Sequence, residues 1–167
     1  PLLTDAFGHA GVVGRLWPPR LLEPEAAPPV SAVLLTHEHE DHFNLPSLNQ
    51  FDRAVPILLS TRSSRSARSI LADMGFRVVL VDRGDEVQIG ALELFLCEVD
   101  WVHASHGDEW DVLPFAVSDV AGDGAFYSHV DAILTDRMVA EAAERIKRPM
   151  IWAHTFNRFD LGFSQGG

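Results

Sequence analysis

THEHEDH, residues 36–42, places three of the chain's eight histidines and three carboxylates in seven consecutive positions. It follows SAVLLT (31–36), an apolar run of the kind that forms a buried strand. A strand that ends in such a cluster delivers it to a loop at the rim of a sheet. In extended backbone, residues two apart face the same side. His37 and His39 are therefore expected to point together, with Glu38 and Glu40 facing away. Asp41 and His42 follow, offset toward a second position. That arrangement suits two adjacent metals better than one, and imidazole and carboxylate are proper ligands for zinc, manganese or iron. A solvated polar loop is the alternative reading. The helical HExxH pattern of zinc proteases is excluded, because Asp41 stands where its second histidine would be.

Outward from the cluster, LPSLNQF predicts a turn or two of helix and AVPILLS a short buried strand. TRSSRSARSILADMGF predicts a helix with Ser/Thr at its start, Ile70, Leu71 and Met74 at helical spacing, and Gly75 as its stop. RVVLVD reads as a strand, RGDEVQIG as turn chemistry, and ALELFLCEVDWV as a longer strand. LPFAVSDV and GAFYSHV bracket AGDG, whose Gly and Asp residues suit a hairpin turn. LTDRMVAEAAERIKR is the strongest helical pattern, with Asp near its start and basic residues in its last turns. PMIWAH is a final strand. Before the cluster, PLLTD is a short apolar run ending in Asp5, and PPRLLEPEAAPPV reads as a long loop. Hairpins mixed with βαβ-like stretches predict antiparallel and parallel parts with helices packed outside.

The 167 residues form one domain's worth of chain, with 47% hydrophobic and 22% charged residues, the balance of a globular protein. No apolar run approaches the roughly 18 residues that span a bilayer. The opening residues lack a signal-peptide pattern, and a cytoplasmic location is the default expectation. The formal net charge of −11 has the wrong sign for a large phosphate-backbone footprint, which argues against a nucleic-acid substrate. The arginine-rich RSSRSARS is expected to be a solvated helix start. One cysteine, Cys97, excludes an internal disulfide and any multi-cysteine zinc site, and its apolar setting predicts a buried, inert thiol.

A loop alone supplies too few ligands for a closed two-metal site. Further candidates lie at predicted strand ends: His103 and His106 in VHASHGDE, His129 and Asp131 in YSHVDA, and His154 in IWAH. His9, in the glycine-bearing N-terminal loop, is expected to be exposed.

VLLTHEHEDHFNLPSL (33–48) resembles the HxHxDH signature of the metallo-β-lactamase-fold superfamily. The strand ending in Asp5, followed by a Pro-rich stretch, is similar to the metal-dependent hydrolase branch related to L-ascorbate-6-phosphate lactonase. The likeness runs over nearly the whole chain, with only the first motif sharp. It implies an α/β fold, an αββα sandwich, as a single domain over 1–167. It also implies two divalent metals, zinc foremost, with iron or manganese accepted by the same ligands. His37 and His39 with a later histidine would hold the first metal. Asp41, His42 and His154 would hold the second, and Asp131 would bridge them. ASHG favours His106 as the later histidine, with His103 as its rival or a pocket group.

The chain departs from the family in three places. Val130 precedes Asp131 where glycine is usual, and His129 beside it is either a pocket group or a satisfied strand-end residue. Further strands usually precede the one ending in Asp5, and a closing helix is expected after His154. The resemblance thus implies a sandwich trimmed at the N-terminus, whose exposed sheet edge a second copy or a neighbouring domain would cover.

Two metals about 3.5–4 Å apart bring a shared water toward ionisation at neutral pH and polarise a carbonyl or phosphoryl oxygen. The implied reaction is hydrolysis of an ester, lactone, amide or phosphoester of a small molecule, with Asp41 and His42 as the catalytic pair. No GxSxG elbow or reactive cysteine competes with that reading. Trp101, Trp110, Phe115, Phe156 and Phe159 are core or pocket-wall candidates. Arg158 is a candidate anion contact or a surface residue, and His129 and Tyr127 are oxyanion-donor candidates. Two alternatives stand beside hydrolysis. One is a di-iron or mono-iron redox enzyme on the same fold. The other is a non-catalytic metal-binding or partner-binding module.

Overall fold

A computed structural model describes residues 29–39, 42–99, 112–132 and 134–153, together with the backbone of 2–4. Among these, strands β1 (Leu2–Thr4), β2 (Ala32–Leu35), β3 (Ile57–Ser60) and β4 (Val78–Val81) form a parallel sheet in that order. A second sheet runs β5 (Glu86–Ile89), β6 (Leu92–Leu96), β7 (Phe115–Asp119), β8 (Ala125–Ser128) and β9 (Met150–Ala153). Its first four strands are antiparallel neighbours, and β9 joins β8 in parallel.

Side-chain alternation fixes how the layers stack. In β2, Ala32 and Leu34 face one core, and Val33 and Leu35 face another. The register pairs Leu34 with Leu58, and Val33 and Leu35 with Ile57 and Leu59, so β3 sorts its side chains the same way. Ala32, Leu34, Leu58 and Val81 meet Leu94, Leu96 and Phe115 of the second sheet and Leu113 just before β7. That is the central core between the sheets. All four residues of β2 and all four of β3 are buried, which explains their continuous rather than alternating apolar sequence. Each fully buried leucine here contributes roughly 1.5–3 kcal/mol.

Helices cover both outer faces. α1 (Leu45–Leu48) and α2 (Arg65–Asp73) pack Leu48, Ala67 and Leu71 onto Val33, Leu35, Ile57 and Leu59. On the far side, α3 (Asp136–Ile146) packs Ala142 against Phe95, Cys97, Ala116 and Tyr127. The four layers are those of an αββα sandwich. Each helix starts where its sequence says it should, since Asn44, Ser64 and Thr135 accept from the backbone N–H groups of Ser47, Ala67 and Met138. α2 stops at Gly75, whose φ is +87°. There Phe76 N–H reaches Leu71 O and Gly75 N–H reaches Ala72 O, the paired bonds of a Schellman stop.

Two sequence expectations change. Glu86–Ile89 is a strand rather than part of a turn: Gly90, at φ +62°, heads a two-residue hairpin loop to β6, and Val87 and Ile89 face the central core. The predicted ALELFLCEVDWV strand ends at Leu96. Ile70 is exposed, because α2 is short and rests on the sheet through Ala67 and Leu71. No helix among the described residues is long and apolar enough to cross a membrane.

Cys97 meets its expectation. It is fully buried, and its thiol is pushed up to about 12 by that burial, reinforced by the carboxylates Glu141 and Glu98. In native protein at pH 8 it will resist thiol reagents, and it will react with one equivalent only after denaturation. Stoichiometric labelling of the folded chain within minutes would contradict the burial.

Candidate metal centre

β2 ends at Leu35, and the chain carries straight on into Thr36 and His37, both buried. His37 is 3% exposed and His39 half-buried. The two imidazoles point together: His37 Nε2 lies 3.0 Å from His39 Nδ1, their rings edge to face. His42 folds back through a tight turn in which its own N–H and that of Phe43 donate to His39 O. Its ring lies 4.1 Å from that of His37, centroid to centroid.

Asp131 comes from the other sheet, on the turn after β8. Its Oδ2 is 3.3 Å from His37 Nε2 and 3.4 Å from His42 Nε2. Hydrogen bonds from His37 and then His42 hold the carboxyl far below the usual carboxylate range, although its partial burial opposes that shift. It is therefore ionised at physiological pH in the metal-free chain, the state in which a carboxylate can ligate a metal.

The donor set fits a cation. His37, His39 and Asp131 each offer a ligand atom, all within 4.8 Å of one another. A single proton on His37 Nε2 cannot serve both His39 and Asp131 in full, whereas a cation accepts lone pairs from all three. Tetrahedral bonds of about 2.0–2.1 Å place ligand atoms roughly 3.3 Å apart. The separations from His37 Nε2 to His39 Nδ1, 3.0 Å, and to Asp131 Oδ2, 3.3 Å, already lie near that value.

Two neighbours steady the loop. Thr36 Oγ1 is 3.1 Å from His37 Nδ1, on the side of the ring away from His39 and Asp131. An outer partner of this kind fixes ring orientation and tautomer. Glu38 turns away from the histidines, as strand alternation predicts. Its carboxylate accepts from both the N–H and the hydroxyl of Ser64 at the start of α2, the hydroxyl at 2.7 Å. Neither contact was legible in the sequence beyond the cap-forming character of Ser64.

The turn carrying Asp131 is closed by Ala132 N–H donating to His129 O at 3.0 Å. Its second residue, Val130, has φ +53° and is 9% exposed within the central core. A left-handed backbone costs an L-residue roughly 1–2 kcal/mol. Burying the isopropyl group returns about 1.5–3 kcal/mol, so the two nearly offset. His129 is a satisfied strand-end residue: its Nδ1 lies 2.8 Å from Ala132 O. Tyr127 is corrected as an oxyanion donor. It is buried on the opposite face of its sheet, against Trp152 and near α3. Phe115 is core, and two arginines of RSSRSARS make contacts within the fold: Arg68 donates to Thr61 O and Ser63 O, and Arg62 pairs with Asp82.

The structure thus brings His37, His39, His42 and Asp131 together. Asp5, His9, Asp41, Trp101, His103, His106, Trp110, His154, Phe156, Arg158 and Phe159 lie outside the described residues.

Comparison with known proteins bears on the same elements. The family model "Beta-lactamase superfamily domain" matches residues 2–149. Among curated proteins none matches. YhfI of Bacillus subtilis, a metallo-beta-lactamase fold protein, is similar over 84% of this chain and 55% of its own, at 13% identity and TM-score 0.59. An isothiocyanate hydrolase from Delia radicum gut bacteria is similar over 76% of this chain and 49% of its own, at 18% identity and TM-score 0.56. CmlA, a diiron beta-hydroxylase from Streptomyces venezuelae, is similar over 73% of this chain and 24% of its own, at 21% identity and TM-score 0.55. The chain spans from about a quarter to about half the length of these structures. At such identities the likeness is one of fold. With four layers of αββα order, histidines at the end of β2 and a family match over most of its length, the chain belongs to the beta-lactamase superfamily and has the metallo-β-lactamase fold.

Proposed function

We propose that the chain is a metal-dependent hydrolase of small-molecule esters, lactones, amides or phosphoesters, acting at a centre for two divalent cations, zinc foremost. The observation that carries this reading is one oxygen, Asp131 Oδ2, within 3.3 and 3.4 Å of His37 Nε2 and His42 Nε2. We assign His37, His39 and His106 to the first cation, with His103 the rival of His106. Asp41, His42 and His154 go to the second, and Asp131 bridges. When bound, such cations supply Lewis acidity and bring water ionisation toward neutral pH.

The chain's own residues do the rest. Asp131 is ionised in advance, Thr36 fixes the His37 ring, and Asp41 with His42 orients the attacking water. Cys97, buried and with its thiol pushed up to about 12, offers no competing nucleophile. Fold likeness to an isothiocyanate hydrolase supports hydrolysis as the reaction class. The branch related to L-ascorbate-6-phosphate lactonase is the finer assignment we favour, on the HxHxDH wording and the Asp5 strand. A second reading, an iron-dependent oxidation, is supported by fold likeness to a diiron hydroxylase and by the tolerance of His/Asp sites for iron.

Elemental analysis of the purified chain tests the proposal. About two zinc per chain, with turnover of an ester, lactone or phosphoester that a chelator abolishes, is the expected result. Iron at the same stoichiometry, with no hydrolysis, would favour the oxidative reading. A folded chain that takes up no metal would sink both and leave a partner-binding module.

A further inference from the structure

The turn that carries Asp131 is held from outside rather than by its own backbone preference. Val130 occupies the second position of the turn His129–Ala132 at φ +53°, a position that suits glycine and strains a β-branched residue. Such a conformation persists only where its surroundings over-determine it. Three contacts do so here. The Val130 isopropyl group is packed in the central core with Leu34, Leu96, Leu113 and Phe115. Val130 N–H donates to Ser128 Oγ at 3.2 Å. The His129 ring, itself buried, meets Ala132 O at 2.8 Å across the turn.

We propose that Val130 and His129 are positioning residues that lock Asp131 in its ligand-presenting position before any metal arrives. Valine does what glycine would not: its side chain nails the turn to the core between the sheets, at the expense of backbone strain. A glycine here would relieve the strain and free the turn. The inference rests on Asp131 as a metal ligand, yet it makes a separate claim about the metal-free chain.

The test compares wild type, Val130→Gly, Val130→Ala and His129→Ala. Zinc affinity is measured by competition with a chromogenic chelator, and exchange of the Ala132 amide is measured in metal-free protein. Val130→Gly is expected to melt within about 4 °C of wild type, because lost burial and relieved strain offset. It should nevertheless bind zinc about tenfold more weakly and exchange the Ala132 amide faster. Val130→Ala keeps the strain, loses the anchor, and should melt about 3–6 °C lower. His129→Ala should likewise speed Ala132 exchange and weaken zinc binding.

A Val130→Gly chain that binds zinc as tightly as wild type would overturn the proposal. If wild type itself binds no zinc, the metal reading fails, and amide exchange still decides: unchanged exchange in Val130→Gly overturns the lock, whereas faster exchange upholds it.

Discussion

Asp131→Ala will leave the chain folded and nearly free of metal after dialysis. The side chain is 42% exposed and sits on a turn, so its loss opens no core cavity. The stability change will be small for the same reason. Metal content will not survive, because the only oxygen that pairs with both His37 and His42 among the described residues is gone. Loss of a hydrogen-bond partner behind a metal ligand already lowers metal affinity by roughly 10–100-fold, and on the bridging assignment proposed above the loss of Asp131 itself should cost more than that. Asp131→Asn keeps an acceptor of the same shape without the charge and is expected to fall between alanine and wild type. Atoms of metal per chain and circular dichroism, measured on the same samples, decide the matter. Undiminished metal in a folded Asp131→Ala chain would remove the bridging assignment. His37→Ala is a poorer probe, since that ring is buried and packed against the His39 and His42 rings, and its removal disturbs packing as well as the candidate site.

Local signals carried most of the fold. Fully buried β2 and β3 read as continuous apolar runs. α2 was legible through the Ser/Thr residues at its start and Gly75 at its stop, and α3 through an early Asp and basic residues in its last turns. β5 was missed because its four residues carry two charged or polar side chains outward, a pattern that next to RGD resembles a turn. The period-two spacing of His37 and His39 correctly gave their common direction. What pattern cannot give is tertiary distance. That Asp131, nearly a hundred positions downstream, meets His37 and His42 follows from sheet packing, not from spacing. The role of Val130 was invisible too, because a left-handed φ on a β-branched residue goes against every local preference. Such a departure is imposed by the core around it.

Glu38 illustrates the same limit and supplies the second large effect. An N-terminal capping box is completed when a Glu three residues into the helix reaches back to the backbone N–H of the cap. α2 has Ala67 at that place, so it cannot close the box locally. Glu38 does so from 26 positions upstream: one carboxylate oxygen accepts from Ser64 N–H, and the other takes the Ser64 hydroxyl, whose oxygen accepts from Ala67 N–H at 3.0 Å. The carboxylate also lies at the positive end of the helix dipole. Because Glu38 stands between His37 and His39, the helix cap and the histidine-bearing segment are one hydrogen-bonded unit.

Glu38→Ala removes both charge-assisted bonds, at a cost of about 1.5–3 kcal/mol. In a chain of this size that lowers the melting temperature by roughly 3–12 °C. The freed loop should also bind zinc about tenfold more weakly. Glu38→Gln retains an acceptor for the Ser64 N–H and should recover part of both losses. Ser64→Ala should destabilise α2 through its cap while leaving the Glu38 contact to the backbone in place, and so affect stability more than zinc affinity. A Glu38→Ala chain with wild-type melting and wild-type zinc affinity would mean that the loop is held by the histidines and the strand alone.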